Sequence, residues 1–100
     1  MVEKQIAKLF CEDKNLFTKY YKYVNINYIK INYNDLYKLF NIILLYYEKY
    51  IENNNINLND LNIFYNSNYL LKDNERKELE LLLKDVYEQD ITNHEAIIGL

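Results

Sequence analysis

The stretch that decides the fold is residues 34–52, NDLYKLFNIILLYYEKYIE. Apolar side chains recur along it at the three- and four-residue spacing of an α-helix, and they are Leu36, Leu39, Phe40, Ile43, Tyr47 and Tyr50. Four more apolar residues widen this stripe to most of the helix surface: Ile42, Leu44, Leu45 and Tyr46. A helix that is apolar on most sides is surrounded by other helices. We therefore expect Asn34 or Asp35 to cap a long helix that reaches Glu52 and forms the centre of a bundle.

Two shorter helices are predicted before this central helix. The first carries one apolar face, made of Val2, Ile6, Leu9 and Phe10. Asp13 is placed to cap the second, whose apolar face consists of Leu16, Phe17, Tyr20, Tyr21 and Val24. Between Asn25 and Tyr33 polar and apolar residues mix, and a strand there would have no second strand to pair with. We expect an irregular connection that buries Ile29 or Ile31.

Three further helices are predicted after an asparagine-rich loop. Asn57 or Asn59 caps a short helix with Leu58, Leu61, Phe64 and Tyr65. Asp73 caps the next one, which has an acidic first turn and a core face of Leu79, Leu82, Leu83 and Val86. Thr92 to Glu95 has the spacing of a capping box, and Ala96, Ile97, Ile98 and Leu100 follow. We expect residues 1–100 to form one all-α domain of about six helices. Because the last helix has a start signal but no C-terminal cap, we expect this domain to be excised from a larger protein.

Composition narrows the class of protein. The net charge of −3 argues against a nucleic-acid surface, which needs a basic stripe to displace counterions from phosphates. Cys11 is the single cysteine, so no disulfide can form within the chain, and a reducing compartment is favoured. No apolar run approaches the roughly 18 residues of a membrane span. We expect a cytoplasmic protein with neither a membrane nor a direct nucleic-acid partner.

The chemistry-bearing residues do not form a catalytic, metal or cofactor pattern. His94 is the only histidine and has only Asp90 and Glu95 near it, whereas a metal site needs three or four converging ligands. Cys11 has no histidine close in sequence and is interpreted as a structural thiol. The asparagine-rich stretch at 53–60 lacks the glycine and alternating acidic ligands of a calcium loop. The fragment is therefore predicted not to be an enzyme and to bind no metal or cofactor.

The twelve tyrosines admit two interpretations. They could stack single-stranded nucleic acid, but a stacking platform works together with a basic groove, which this sequence lacks. Most of them fall at core-facing helical positions. We therefore expect them mainly to fill the core, with their hydroxyls reaching solvent or a backbone partner.

Several short motifs, taken in order, resemble one known family. They are EDKNLF at 12–17, YYKYV at 20–24, YNDLYKLF at 33–40 and LYYE at 45–48, followed by Ile56-Asn57-Leu58 and a leucine-rich helix. In this order the chain resembles the globular subdomain of the C-terminal helicase-binding domain of bacterial DnaG-type DNA primases, most of all those of Firmicutes. One departure is Lys49-Tyr50, because the family often has a glycine after the Tyr-Glu motif.

The resemblance implies a non-catalytic docking module. It would bind and modulate the replicative DNA helicase during primosome assembly, while the zinc and polymerase domains of the parent primase lie elsewhere. Binding by this monomeric piece is expected to be weak, since the family's gripping helical hairpin is not part of it. Exposed aromatics with charged rims are typical of docking sites, so we predict partner contacts at Tyr65, Tyr69, Glu75 and Arg76.

Two alternatives stay open. The N-terminal domain of the replicative helicase itself has a similar helical fold, although its first helix usually follows a proline and is rich in alanine and glycine. Residues 1–11 contain one alanine and neither proline nor glycine. A small, acidic phage-type protein that binds a host machine is the other alternative.

Overall fold

The computed structural model describes residues 1–91, and within that range it contains six α-helices and no strand. The helices are α1 (Val2–Glu12), α2 (Lys14–Tyr20), α3 (Ile26–Asn32), α4 (Asn34–Lys49), α5 (Leu58–Asn68) and α6 (Asp73–Tyr87). A short 3-10 helix, Tyr21–Tyr23, follows α2. The prediction of an all-helical bundle is confirmed. The helix predicted after Thr92, and with it His94, lies outside the described residues.

The central position of α4 follows from its sequence. It is the longest described helix, with 16 residues, and its buried side chains point in several directions around its axis: Leu36, Leu39, Phe40, Ile42, Ile43, Tyr46 and Tyr47. Helices α1, α3 and α5 all pack against it, and α6 closes the bundle against α1 and α5. The wide apolar stripe of residues 34–52 therefore predicted correctly that this helix is surrounded.

The prediction of an irregular connection at 25–33 is wrong, because this stretch forms α3. The Asn25 side chain accepts a hydrogen bond from the Tyr28 N–H at 3.0 Å, which is an N-cap. Ile29 is buried, as expected for one of the two isoleucines, whereas Ile31 is 82% exposed. Ile26, Ile29 and Tyr33 follow the helical i, i+3, i+7 spacing and pack on the core. This helical spacing predicts a helix, but the asparagines that alternate with the apolar residues made it hard to recognise.

Three predicted helix ends are displaced for local reasons. The second helix does not continue to Val24, because the backbone turns extended there and frees Asn25 to cap α3. The N-cap of α4 is Tyr33, with Asn34 and Asp35 already in the first turn. The helix also stops at Lys49 instead of Glu52, since Ile51 is 74% exposed and has no packing to hold another turn.

The start of α6 is one residue earlier than predicted. Its N-cap position is Lys72 instead of Asp73. The Lys72 N–H donates to the Glu75 carboxylate at 3.2 Å. The backbone N–H groups at the start of a helix have no partner within the helix, and this hydrogen bond satisfies one of them. Asp73 is exposed and lies 3.9 Å from the Arg76 guanidinium.

A loop between α4 and α5 crosses the end of α1 and completes its hydrogen bonding. The Ile56 N–H donates to the Cys11 carbonyl at 2.7 Å, and the Tyr47 hydroxyl donates to the Phe10 carbonyl at 2.6 Å. These are carbonyls that a helix end leaves without intrahelical partners. The Tyr87 hydroxyl in turn donates to the Ile56 carbonyl at 2.6 Å, so α6 holds the same loop from its other side.

The cap of α5 supports a first testable prediction. Of the two candidates, Asn57 is the cap, and its side-chain oxygen accepts from the Asp60 N–H at 2.8 Å. Replacing it, Asn57→Ala, should lower the free energy of unfolding by about 1 kcal/mol in urea denaturation. Asn59→Ala is the matched control on the same exposed turn and should cost less than about 0.5 kcal/mol. Equal losses for the two variants would contradict the assignment of the cap.

Candidate functional site

The four residues predicted to contact a partner lie near the end of α5 and the start of α6, but they do not form one exposed patch. Tyr65 is buried at 5% exposure, and the half-buried Tyr69 ring lies 5.0 Å from it. Tyr65 and Glu75 line a small cleft of about 50 Å³ together with Asp35 and Lys38. Arg76 is exposed and faces Asp73, at 3.9 Å.

Burial defines the chemistry of Tyr65. Burial, and to a smaller extent the neighbouring Tyr69, Asp35 and Glu75, raise the pKa of the phenol to about 12. The ring is therefore a neutral core filler at physiological pH. A partner that approaches here can reach Tyr69, the edge of Glu75 and Arg76, but it cannot bury much apolar area in so small a cleft.

A larger opening lies between α5 and α6, away from this cleft. It is a groove of about 620 Å³, which we call the α5–α6 groove, and it is lined by Leu58, Asn59, Asn62, Glu80, Leu83, Lys84, Tyr87 and Glu88. Leu58 opens onto it with 39% of its surface exposed. Leu83 and Tyr87 contribute apolar surface, while Glu80, Lys84 and Glu88 supply charges. An apolar lining beside charged groups is the arrangement that receives an amphipathic helix.

Sequence reasoning missed both this groove and a second exposed leucine on α6. It grouped Leu58 with Leu61, Phe64 and Tyr65 on one short helix, although Leu58 lies on the first turn of α5 and is 39% exposed. It also passed over Leu81, which is 68% exposed. Leu81 lies off the stripe of Leu79, Leu83 and Val86, so a leucine on the polar face of α6 was the available signal.

The buried thiol of Cys11 belongs to the core. Burial is the main cause that raises its pKa to about 12. The charge on Glu12 also raises the pKa, whereas a hydrogen bond with Tyr87 lowers it. A thiol of this kind stays protonated at neutral pH and is a poor nucleophile. Burial likewise raises the pKa of Tyr47 and Tyr87, whose hydroxyls donate hydrogen bonds to backbone carbonyls.

The tyrosines are mostly core residues, as predicted. Four are buried, namely Tyr20, Tyr46, Tyr47 and Tyr65. Five more are half-buried and pack against the core: Tyr21, Tyr33, Tyr37, Tyr69 and Tyr87. Three are exposed: Tyr23 in the 3-10 helix before α3, Tyr28 in α3, and Tyr50 directly after α4. Lys22 lies over the Tyr23 ring and Lys49 over the Tyr50 ring, at 5.2 Å and 5.6 Å from the centroids.

Residues 1–91 offer neither a metal-ligand cluster nor a helix suited to a membrane span. No group of three or more His, Cys, Asp or Glu side chains in that range is placed to hold a metal ion. None of the helices in the same range is both long enough and apolar enough to cross a bilayer. No protein-family model, curated protein or solved structure matches the chain.

Proposed function

We propose that this chain is a non-catalytic docking module that binds and modulates the replicative DNA helicase of a bacterium during primosome assembly, as the globular subdomain of a DnaG-type primase. The proposal rests on the motif order quoted above. The motifs fall on α2, the 3-10 helix, α4, the loop that leads into α5, and α6. In this proposal the domain acts as a cytoplasmic monomer, and the catalytic parts of the primase lie outside it.

The observation that carries a docking role is the α5–α6 groove. Its volume of about 620 Å³ is large enough to take apolar side chains from a partner helix. Leu58, which lines the groove, exposes 39% of its surface there. Burying such surface is favourable by about 25 cal/mol per Å². Tyr87 adds an aromatic ring to this lining, and tyrosine is one of the residue types in which the binding energy of an interface concentrates.

The charges around the groove constrain the partner. Glu80 and Glu88 flank Lys84 along α6, so the rim is mixed with a net negative character. A partner helix that combines apolar anchors with a basic flank would complement this rim, and in this proposal the helicase N-terminal domain supplies it. Charged pairs at the edge of such an interface mainly set orientation and association rate.

The groove assignment gives a second prediction. Leu58→Asp places a charge where apolar contact is proposed, and it should weaken binding to the helicase N-terminal domain by at least about tenfold. The measurement is an NMR titration of the labelled chain, with shift changes expected at Leu58, Leu83 and Tyr87. Because Leu58 lies on an exposed edge, the fold should survive, and the spectrum of the free variant checks this.

Ile31→Asp is the matched control. It also introduces a charge at an exposed apolar residue, 82% exposed, but on α3, which packs on α4 and does not line the groove. Its affinity for the helicase domain should stay within about twofold of the original chain. Shifts centred on Tyr69, Glu75 and Arg76 would instead place the contact at the small cleft. Equal weakening by the two variants would contradict docking at the α5–α6 groove.

A further inference from the structure

A pocket lined largely by aromatic rings opens where α1, α2, the 3-10 helix and α3 meet, and we call it the tyrosine pocket. Its volume is about 170 Å³, and it shares no lining residue with the α5–α6 groove. Three phenol rings and one carboxylate line it, with two buried apolar side chains on its inner side: Tyr20, Tyr23, Tyr28, Glu3, Phe10 and Ile29. The docking proposed above does not involve this pocket.

Two of the rings form a corner of the tyrosine pocket. The Tyr20 and Tyr23 ring centroids lie 6.5 Å apart, and the ring planes are inclined by 48°. Tyr20 is buried, whereas Tyr23 and Tyr28 are 73% and 47% exposed, so the pocket has one inner ring and two outer ones. A positive charge held between Tyr20 and Tyr23 would lie within about 6 Å of both centroids, which is the range over which an aromatic ring attracts a cation.

The charge of the lining also favours a cation. Within residues 1–91, Glu3 is the only charged residue that lines the pocket, and it forms no ion pair in that range. Glu3 is half-buried. Because water and salt screen a half-buried carboxylate less than an exposed one, it attracts a positive charge more strongly. The pocket therefore combines a carboxylate with aromatic rings, and both kinds of group stabilise a cation.

Two lysines of the chain lie over these rings without lining the pocket. The Lys19 ammonium lies 5.2 Å from the centroid of the Tyr20 ring, and the Lys22 ammonium lies 5.2 Å from that of Tyr23. Since neither lysine belongs to the lining, neither fills the pocket. Both are exposed, so water and salt screen their repulsion of a cation bound there.

A second aromatic opening provides a comparison within the same chain. It measures about 390 Å³, and Tyr50 and Phe64 contribute to its lining. Lys49 also lines this opening, and its ammonium lies over both rings, at 5.6 Å and 5.9 Å from the centroids. The chain's own cation therefore lies on the aromatic lining there, whereas the lining of the tyrosine pocket includes no lysine or arginine.

The hydrogen-bonding groups of the lining select the type of cation. A lysine ammonium has three N–H donors and an arginine guanidinium has five, and each donor that leaves water needs an acceptor. Phe10 and Ile29 have no side-chain acceptor, and Glu3 is the one carboxylate of the lining. A quaternary ammonium has no N–H group, and its methyl groups can pack against such apolar side chains. A trimethylammonium group is close to benzene in size, and a cavity of about 150 Å³ holds benzene.

We propose that the tyrosine pocket binds a quaternary ammonium group, held by the rings of Tyr20, Tyr23 and Tyr28 and paired with the Glu3 carboxylate. Clusters of aromatic rings are a general means of recognising such cations. The group can come from a choline-like small molecule or from a trimethylated lysine of another protein. The pocket lies on α1, α2, the 3-10 helix and α3, so its test does not depend on helicase docking at α5 and α6.

The direct test is an NMR titration of the full chain with choline. Shift changes are expected at the ring signals of Tyr20, Tyr23 and Tyr28. The neutral analogue 3,3-dimethylbutanol has nearly the same shape without the charge, and it should bind at least about fivefold more weakly. Shifts centred on Tyr50 and Phe64, or equal affinity for the neutral analogue, would overturn the proposal.

A short peptide with a trimethylated lysine is the second probe, and it distinguishes the two sources of the cation. Tighter binding of the peptide than of choline would identify a protein side chain as the source. Equal or weaker binding would identify a small molecule, and both rankings support a quaternary ammonium site. Absence of shifts with both probes at millimolar concentration would contradict it.

Two substitutions test the ring and the carboxylate separately. Tyr23→Leu removes an aromatic ring and Glu3→Gln removes the charge, and each should weaken the binding of choline by at least about threefold. Tyr23 is 73% exposed and Glu3 lies in the first turn of α1, so both variants should fold, which the spectra of the free variants check. Tyr50→Leu is the matched control at an exposed tyrosine with a lysine over its ring, and its affinity should stay within about twofold. Full affinity in either pocket variant, or equal weakening by Tyr50→Leu, would overturn the assignment.

Discussion

Phe40→Ala is expected to destabilise the domain by about 3–5 kcal/mol, a large part of the 5–15 kcal/mol that holds a typical domain together. Phe40 is completely buried in α4, and its ring lies 6.0 Å from that of Phe10 in an edge-to-face contact. The substitution removes this contact between α4 and α1 and leaves a cavity that the surrounding helices cannot fully close. In a thermal melt followed by circular dichroism, the midpoint should fall by about 12 °C or more.

Leu45→Ala provides the control on the same helix. Leu45 is 43% exposed, and both leucine and alanine favour helix, so the substitution tests packing without changing helix propensity. Its cost should stay below about 1 kcal/mol. If the two variants melted at similar temperatures, α4 could not be the buried centre of the bundle.

Alkaline pH should unfold the domain cooperatively. Burial raises the pKa of Cys11 and of Tyr65 to about 12, and burial also raises the pKa of Tyr47 and Tyr87. The folded state therefore keeps protons that the unfolded chain releases near pH 9 for the thiol and pH 10 for the phenols. Stability from these groups is complete below those values and is lost as the pH rises above them.

The size of the effect follows from the number of groups. Each group removes at most about 1.4 kcal/mol per pH unit, so four together remove up to roughly 5.5 kcal/mol per unit above pH 10. We expect helical circular dichroism to disappear between about pH 10 and pH 12, in step with the ultraviolet absorbance of tyrosinate.

Cys11→Ala isolates one contributor to the alkaline transition. It removes a titrating group while leaving the three tyrosines in place, so the pH slope of the unfolding free energy should fall by up to about 1.4 kcal/mol per unit. Complete tyrosine ionisation in a chain that keeps its helical signal would contradict the expectation, because the phenols would then titrate inside the folded state.

The fold was largely predictable because its strongest signals are local. The stripe of residues 34–52 predicted a surrounded helix, and α4 is buried at seven of its 16 residues. Asp13 was identified as a cap, and Asn57 as one of two candidates with Asn59, from residue type and position alone; both Asp13 and Asn57 accept the predicted kind of hydrogen bond. Helix α3 was missed because its period rests on Ile26, Ile29 and Tyr33, between residues that favour strand or turn.

The surfaces were much less predictable, because exposure depends on how helices pack against one another. Tyr65 looked like an exposed aromatic beside a helix start, yet α4 and α6 cover it. Leu58 was grouped with the apolar residues of a short helix and Leu81 was not singled out, yet both have exposed surface. A helical period identifies the sides of a helix, but it does not say which sides a neighbour covers.

Calorimetric titration of the full chain against two purified partners is the most direct measurement of the proposed role. One partner is the N-terminal domain of a bacterial replicative helicase, and the other is the C-terminal region of a DnaG-type primase. A primase docking module should bind the helicase domain weakly and show no heat of binding with the primase region. Binding to the primase region alone would place the chain on the helicase side of the complex, and binding to neither partner would contradict a role in primosome assembly.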